Sequence, residues 1–146
     1  SVLLATFDEL PTGQATKVEW QQLIELRAAV DKSLEDLRNA GGIGSPLEAV
    51  VTIYADGELH NTLEQLGEEL RFVFITSEAT VAPLADAPAD AVEGDGFKVT
   101  VAASEHEKCT RCWHRRADVG SVNGHTEICG RCASNVDGSG EHRAFA

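Results

Sequence analysis

The chain has 146 residues, of which 42% are hydrophobic, and its formal net charge is −12. These values are typical of a soluble globular protein of one domain, or of one and a half small ones. No run approaches the roughly 20 apolar residues of a membrane span, and the charged side chains within residues 1–30 exclude a secretory signal peptide. Methionine is absent even from position 1, so we expect a fragment of a longer protein.

The first predicted element is a long amphipathic helix over about 17–39. Thr16 and Glu19 have the spacing of a capping box, and apolar residues follow at helical spacing. The pattern stops at Gly41, a residue type that commonly ends helices. Residues 1–15 precede this helix as a tail.

A small α/β unit is predicted next. β-branched and aromatic residues favour a strand over 48–55, and leucines at helical spacing predict a short helix over 58–69. The apolar run RFVFITS, 71–77, is typical of a buried strand, which would lie parallel to the first in a βαβ unit. We expect a surface loop or linker over 78–96, because Ala, Pro, Asp and Glu dominate there, and a third strand over 97–103.

The C-terminal segment, 104–146, has few apolar side chains. So small a core cannot fold a piece of roughly 40 residues by burial alone. We therefore predict an α+β protein with a long helix and a small β-α-β-β unit in 1–103. A four-cysteine zinc-finger module, poor in regular structure, would occupy 104–146.

All four cysteines lie in this segment, in the pattern C-x2-C-x16-C-x2-C, at Cys109, Cys112, Cys129 and Cys132. Two C-x2-C turns separated by 15–20 residues match a four-thiolate zinc site. Each turn directs two sulfurs to one point, and Gly130 would ease the second bend. Four sulfurs leave the ion no open position, so one structural zinc is expected. Its binding can contribute on the order of 10 kcal/mol to folding.

Other interpretations of the cysteines were weighed. Disulfides require an oxidising compartment, and nothing in the sequence indicates export. A thioredoxin-like redox pair would not need a second copy, and uncoordinated surface cysteines would not be so regularly spaced. His114 or His125 could replace a cysteine as ligand, although the four sulfurs already suffice.

The net charge hides a local basic cluster. Residues 1–100 carry 18 acidic and 6 basic side chains, whereas residues 101–146 carry 6 of each. Phosphates favour Arg and Lys, and unpaired bases stack on aromatic or guanidinium planes. The candidate nucleic-acid contacts are Lys108, Arg111, Trp113, Arg115, Arg116 and Arg131. The alternative is that the charges only keep the module soluble and that Trp113 forms its core.

The string KCTRCWHRRADVG followed by HTEICGRCASNVDGSGEHRAFA resembles the C-terminus of bacterial isoleucyl-tRNA synthetases. The upstream string WQQLIELRAAVDKSLEDLRNAGGIGSPLEAVVTIYA is similar to the long helix and strand that end their anticodon-binding region. That class of zinc finger is also shared with formamidopyrimidine-DNA glycosylases. The combined strings are far more specific than the cysteine spacing alone.

The resemblance implies a class I aminoacyl-tRNA synthetase, a cytoplasmic ligase of protein biosynthesis that uses ATP to attach isoleucine to its tRNA. This portion would bind the anticodon side of isoleucine-accepting tRNA beside the remainder of the parent chain, with the four cysteines as zinc ligands. We expect a monomer. The His-Ile-Gly-His and Lys-Met-Ser-Lys-Ser signatures are absent, so ATP would bind only in the parent's catalytic domain, and the fragment would lack catalytic and editing centres.

Two functions of other classes stay open. A DNA-repair glycosylase would use the zinc hairpin to place an arginine against DNA, but it needs an N-terminal Pro-Glu, and this chain begins SVLL. A zinc-ribbon module could instead bind protein and no nucleic acid.

Overall fold

The computed structural model describes residues 20–145. Four α-helices and four β-strands lie in this range. The helices are α1, Trp20–Asn39, α2, Gly57–Leu66, α3, Leu70–Phe74, and α4, Gly130–Asp137. The strands are β1, Ala49–Ala55, β2, Glu78–Pro83, β3, Val92–Glu93, and β4, Phe97–Ala103. The predicted α+β class is confirmed. No helix within the described range is long and apolar enough to cross a membrane.

Helix α1 covers one face of the sheet. Its buried apolar side chains are three or four positions apart, at Leu23, Leu26, Val30 and Leu34, the spacing of one helical stripe. The predicted long helix is confirmed over the described residues. Its predicted start at 17 and the capping box of Thr16 and Glu19 lie outside them.

The sheet has the strand order β2-β1-β4-β3. Strand β1 pairs in parallel with β2 and antiparallel with β4. Alternate residues of β1, Ala49, Val51, Ile53 and Ala55, are fully buried in the core, whereas those between them are half-buried. Because successive side chains of a strand point to opposite faces, the face that carries these four residues is the one that packs against the helices. The predicted strands over 48–55 and 97–103 are confirmed.

The predicted strand over 71–77 is wrong, because this segment begins with helix α3. Leu70 and Phe74 are one helical turn apart and both are buried in the core, continuing the leucine spacing of α2. Ile75 ends the helix in the left-handed conformation, with φ 56°. The apolar run that suggested a strand is thus the core-facing side of a helix plus its C-terminal cap.

The predicted loop over 78–96 is also partly wrong, because it contains β2 and the short β3. The βαβ unit exists, but its second strand is β2, Glu78–Pro83, and not 71–77. Strand β2 lies at an edge of the sheet and has no fully buried residue. An edge strand tolerates Pro83 and needs no apolar run, which is why the composition suggested a loop.

The segment from 104 onward contains little regular structure, as expected. Helix α4 is its one helix among the described residues. Two isolated bridges, Lys108 with Arg115 and Val122 with His125, hold its turns. The segment contacts α3 and residues that flank it in the chain, as described below.

Candidate metal centre and nucleic-acid interface

The four cysteine sulfurs converge on one point. All four lie within 4.8 Å of one another, and the sulfurs of Cys112 and Cys129 are 3.8 Å apart. Sulfurs held about 2.3 Å from a central zinc in a tetrahedron would be about 3.8 Å apart. None of the four is in a disulfide. The donor set and its spacing therefore fit a tetrahedral zinc ion.

The first C-x2-C turn is a tight hairpin. The backbone N–H of Trp113 donates to the carbonyl of Cys109 at 2.9 Å, and the N–H of Cys109 donates to the carbonyl of His114 at 2.9 Å. Trp113 has φ 68°, a left-handed conformation that is costly for a bulky residue. This strained turn is what reverses the chain beside the sulfurs.

The second C-x2-C turn opens helix α4. Cys129 is the N-cap residue, and Cys132 lies in the first turn, where the helix dipole stabilises negative charge. The N–H of Gly130 donates to Asp118 Oδ2 at 3.0 Å. A Cβ on residue 130 would lie 2.9 Å from that oxygen. A larger residue here would therefore displace the Asp118 carboxylate from its present position.

The protein environment gives the cysteine thiols different pKa values. Burial opposes ionisation of Cys109, but the backbone N–H groups of Cys112, Cys129 and Arg111 donate to it and lower its pKa to about 6. Burial raises the pKa of Cys129 to about 12, and the neighbouring Cys112 adds to the rise. A divalent cation at the centre would favour all four thiolates, so metal binding should release protons.

Two arginines lie against the sulfurs. The Arg111 guanidinium donates to Cys132 Sγ at 3.6 Å. Burial disfavours the charge of Arg131, but hydrogen bonds to Cys112 and Glu141 outweigh burial and raise its pKa. A zinc ion with four thiolates carries a net charge of −2, which two guanidinium groups can neutralise.

Three of the six nucleic-acid candidates lie on the outer surface of the first turn. Lys108, Arg111 and Trp113 are exposed, and the Lys108 ammonium is 5.7 Å from the centre of the Trp113 ring. Trp113 is 59% exposed, so the alternative that it forms the module's core is wrong. We name Lys108, Arg111 and Trp113 the exposed knuckle.

The other candidates face the α/β body. The backbone N–H of Arg115 donates to Ser77 Oγ at 2.6 Å, and the Arg115 side chain lies 3.8 Å from Glu48. Arg116 donates to the Ser77 carbonyl at 3.3 Å and pairs with Glu68 at 3.1 Å. These two arginines are engaged within the molecule.

Arg131 is engaged in the same way. It pairs with Glu141 at 3.0 Å, and its guanidinium lies 5.2 Å from the centre of the Phe72 ring. Among the six candidates, the three residues of the exposed knuckle are therefore the ones whose charged or aromatic side chains are exposed to solvent.

The two histidines lie outside the cysteine cluster. His114 is buried, and its Nδ1 lies 3.3 Å from the Arg71 guanidinium. Burial and the nearby Arg71 charge lower its pKa to about 4, so the ring is neutral and Nδ1 accepts. His125 pairs with Asp137 at 2.7 Å. Glu69, Phe72 and Ser77 contact the module from the body, but they belong to no motif by which the sequence could have indicated them.

Comparison with known proteins places this site in a family. Residues 107–135 match the family described as "Zinc finger found in FPG and IleRS". The whole chain is 52% identical over 153 aligned residues to the isoleucine–tRNA ligase of Pseudomonas paraeruginosa (strain DSM 24068 / PA7). It is 50% identical to that of Ectopseudomonas mendocina (strain ymp) and 49% identical to that of Pseudomonas aeruginosa (strain UCBPP-PA14).

Each of these alignments covers 100% of this chain but only 16% of the relative. The chain thus spans a small part of the curated relatives it matches. These relatives do not support the glycosylase alternative, which has in common with this chain the zinc-finger family whose description also names FPG. Along its whole length the chain is similar to one part of isoleucine–tRNA ligases, and its cysteine segment matches the zinc-finger family that is named after them.

Proposed function

We propose that this chain is the C-terminal, tRNA-binding portion of an isoleucine–tRNA ligase. Cys109, Cys112, Cys129 and Cys132 bind one structural zinc ion, and the zinc-held segment contacts the anticodon side of isoleucine-accepting tRNA. The names of the relatives and the similarity along the whole chain support this assignment. We retain the division into an α/β unit, 1–103, and a zinc module, 104–146.

The exposed knuckle is the observation that carries the proposal. A metal-held turn presents an ammonium, a guanidinium and an indole to solvent. Lysine and arginine attract phosphates, and an exposed indole offers a face on which an unpaired base can stack. The anticodon loop of a tRNA contains such unpaired bases. Because the turn is fixed by the metal, little conformational entropy is lost when RNA binds.

The activity belongs to the parent protein. It is a cytoplasmic, monomeric class I synthetase that activates isoleucine with ATP and transfers it to tRNA. The present chain contributes binding and has neither the catalytic nor the editing centre, and its closed four-sulfur site leaves no coordination position for a substrate. An adenylate-exchange assay on the purified chain should therefore give no turnover, and measurable turnover would contradict this part of the proposal.

The binding claim is tested by titration of the zinc-loaded chain with isoleucine-accepting tRNA and with duplex DNA at two salt concentrations. We expect the tRNA to bind more tightly than the duplex, and more weakly at the higher salt because phosphate contacts release counterions. The net charge of −12 will keep the affinity of the isolated chain low. Equal affinities that hardly respond to salt would favour a protein-interaction module instead.

A further inference from the structure

Besides the pairs of Arg115 with Glu48, Arg116 with Glu68 and His114 with Arg71 described above, the zinc module contacts the α/β body at three further points. On the body side the contacts come from a short stretch of chain around α3, at Glu69, Phe72 and Ser77. On the module side they come from three segments that are distant in sequence, 114–116, 131 and 143–145. We call this set of contacts the seam.

Ser77 is the first contact point. It is fully buried, and its hydroxyl donates to the Leu47 carbonyl and accepts from the N–H of Arg115 at 2.6 Å. Its backbone N–H donates to Ala49 at 3.0 Å, and its carbonyl accepts from Arg116 at 3.3 Å. Every polar atom of Ser77 therefore links the β1 side of the body with the first cysteine turn.

Phe72 is the second contact point. The guanidinium of Arg143 lies 3.9 Å from the centre of its ring, and that of Arg131 lies 5.2 Å from it. The His114 ring is 6.0 Å away at an interplanar angle of 55°. Cations near the face of an aromatic ring are attracted to it, more so where water is excluded. One phenyl ring thus contacts three segments of the module.

Glu69 is the third contact point. Its two carboxylate oxygens accept from the backbone N–H groups of Ala144, at 2.6 Å, and Phe145, at 2.7 Å. Hydrogen bonds to an ionised carboxylate are stronger than those between neutral groups. The segment after α4 is thereby tied back to the start of α3.

Three contact points that engage separate segments of the module restrict its rotation on the body. We infer that Glu69, Phe72 and Ser77 hold the zinc module in a single orientation on the α/β body, and that they are positioning residues for the exposed knuckle. None of the three lies in the cysteine cluster, so we expect the four cysteines to keep their metal when these residues are changed. The consequence for RNA binding rests on the proposed function, whereas the fixed orientation does not.

The orientation is measured by residual dipolar couplings on the zinc-loaded 146-residue chain. One alignment tensor should fit the couplings of both parts in the unaltered protein. In the triple variant Glu69→Ala/Phe72→Leu/Ser77→Ala we expect two different tensors, with unchanged zinc content and unchanged amide protection in β1 and α1. Glu69→Gln, which retains one acceptor oxygen, should give an intermediate result. Glu58→Ala, an exposed glutamate in the first turn of α2, is the matched control.

A single tensor in the triple variant would overturn the inference. A loss of zinc would also overturn it, because the three residues would then support the fold of the module itself. Should the buried Ser77 change unfold the body, the pair Glu69→Ala/Phe72→Leu gives the same comparison. The second measurement is tRNA affinity, which we expect to fall several-fold in the variant. If the variant gives two tensors but binds tRNA as tightly as the unaltered chain, the three residues fix the orientation but do not position the exposed knuckle for RNA binding. No tRNA binding by the unaltered chain would contradict the proposed function and leave the orientation result standing.

Discussion

Trp113 combines two features that are costly for an aromatic residue. It is 59% exposed, and it has φ 68° although it is not glycine. A backbone held in a sparsely populated region typically costs about 1–3 kcal/mol, and such strain clusters at functional sites. Because glycine adopts this conformation without strain, we expect the backbone at this position to be less strained with glycine than with tryptophan.

This contrast predicts the result of two substitutions. Trp113→Gly and Trp113→Ala should both weaken tRNA binding by about 1–3 kcal/mol, the usual contribution of a stacked base. The glycine variant should keep its zinc and unfold no more easily than the unaltered protein. Val136→Ala, a control at an exposed apolar residue of α4, should bind tRNA normally. Full affinity in both Trp113 variants would remove the indole from the interface.

Arg115 and Arg116 show how far charge alone can indicate function. Their position beside the cysteines made them candidates for RNA contacts, yet they bind Ser77, Glu48 and Glu68. A basic cluster in sequence does not reveal which of its members faces an acidic patch of the same chain. In contrast, Lys108, Arg111 and Trp113 are exposed, a difference that only the fold reveals.

At the scale of elements, α3 was the least predictable. Its apolar run has the length of a strand and contains aromatic and β-branched residues, which periodicity cannot distinguish from a buried helix segment. The spacing of Leu63, Leu66, Leu70 and Phe74, all buried, was the signal that the helical pattern continues. Strand β2 was missed because an edge strand needs neither an apolar run nor a buried face. The long helix, β1 and β4 were predictable, because each has strong periodicity and clear ends.

Ile75 at the end of α3 gives a test of this element. It is β-branched, 50% exposed, and has φ 56°, a conformation that asparagine tolerates better. Ile75→Asn should therefore raise the free energy of unfolding by about 0.5–1 kcal/mol in chemical denaturation. Ile24→Asn, at a residue of α1 that is 61% exposed, should give no increase. A clear loss of stability in Ile75→Asn would contradict this prediction. It would mean that the packing of the buried half of the Ile75 side chain stabilises the protein more than the strained backbone destabilises it.

We expect the folding of the cysteine module to depend on a metal ion. Cys109→Ser should release zinc and abolish amide protection in α4, because residues beyond 104 have no apolar core to replace the ion. The same change should leave α1 and β1 protected, since their core of leucines, valines and isoleucines is separate. Hydrogen exchange with zinc analysis measures both effects, and Ser121→Ala is a control in the same module. Loss of protection throughout the chain would contradict two separately folded parts.

At the scale of the whole molecule, the zinc centre was the most predictable part and the seam the least. The cysteine spacing specified four ligands at one point, and the sulfurs do converge. Glu69, Phe72 and Ser77 could not be identified, because their roles depend on partners some 40 to 75 residues away. Such contacts follow from the packing of α3 and carry no local pattern. Some acidic residues of the body act at the same scale, because Glu48, Glu68 and Glu69 contact the module and are engaged within the molecule.

The account is tested most directly by a nuclease footprint of isoleucine-accepting tRNA with the zinc-loaded chain, repeated after chelation. We expect protection confined to the anticodon stem and loop, lost on chelation and restored when zinc is added back, because the metal holds the exposed knuckle in place. Protection of the acceptor end, or an anticodon footprint that survives chelation unchanged, would contradict the claim that a zinc-held turn of this chain binds the anticodon side of the tRNA.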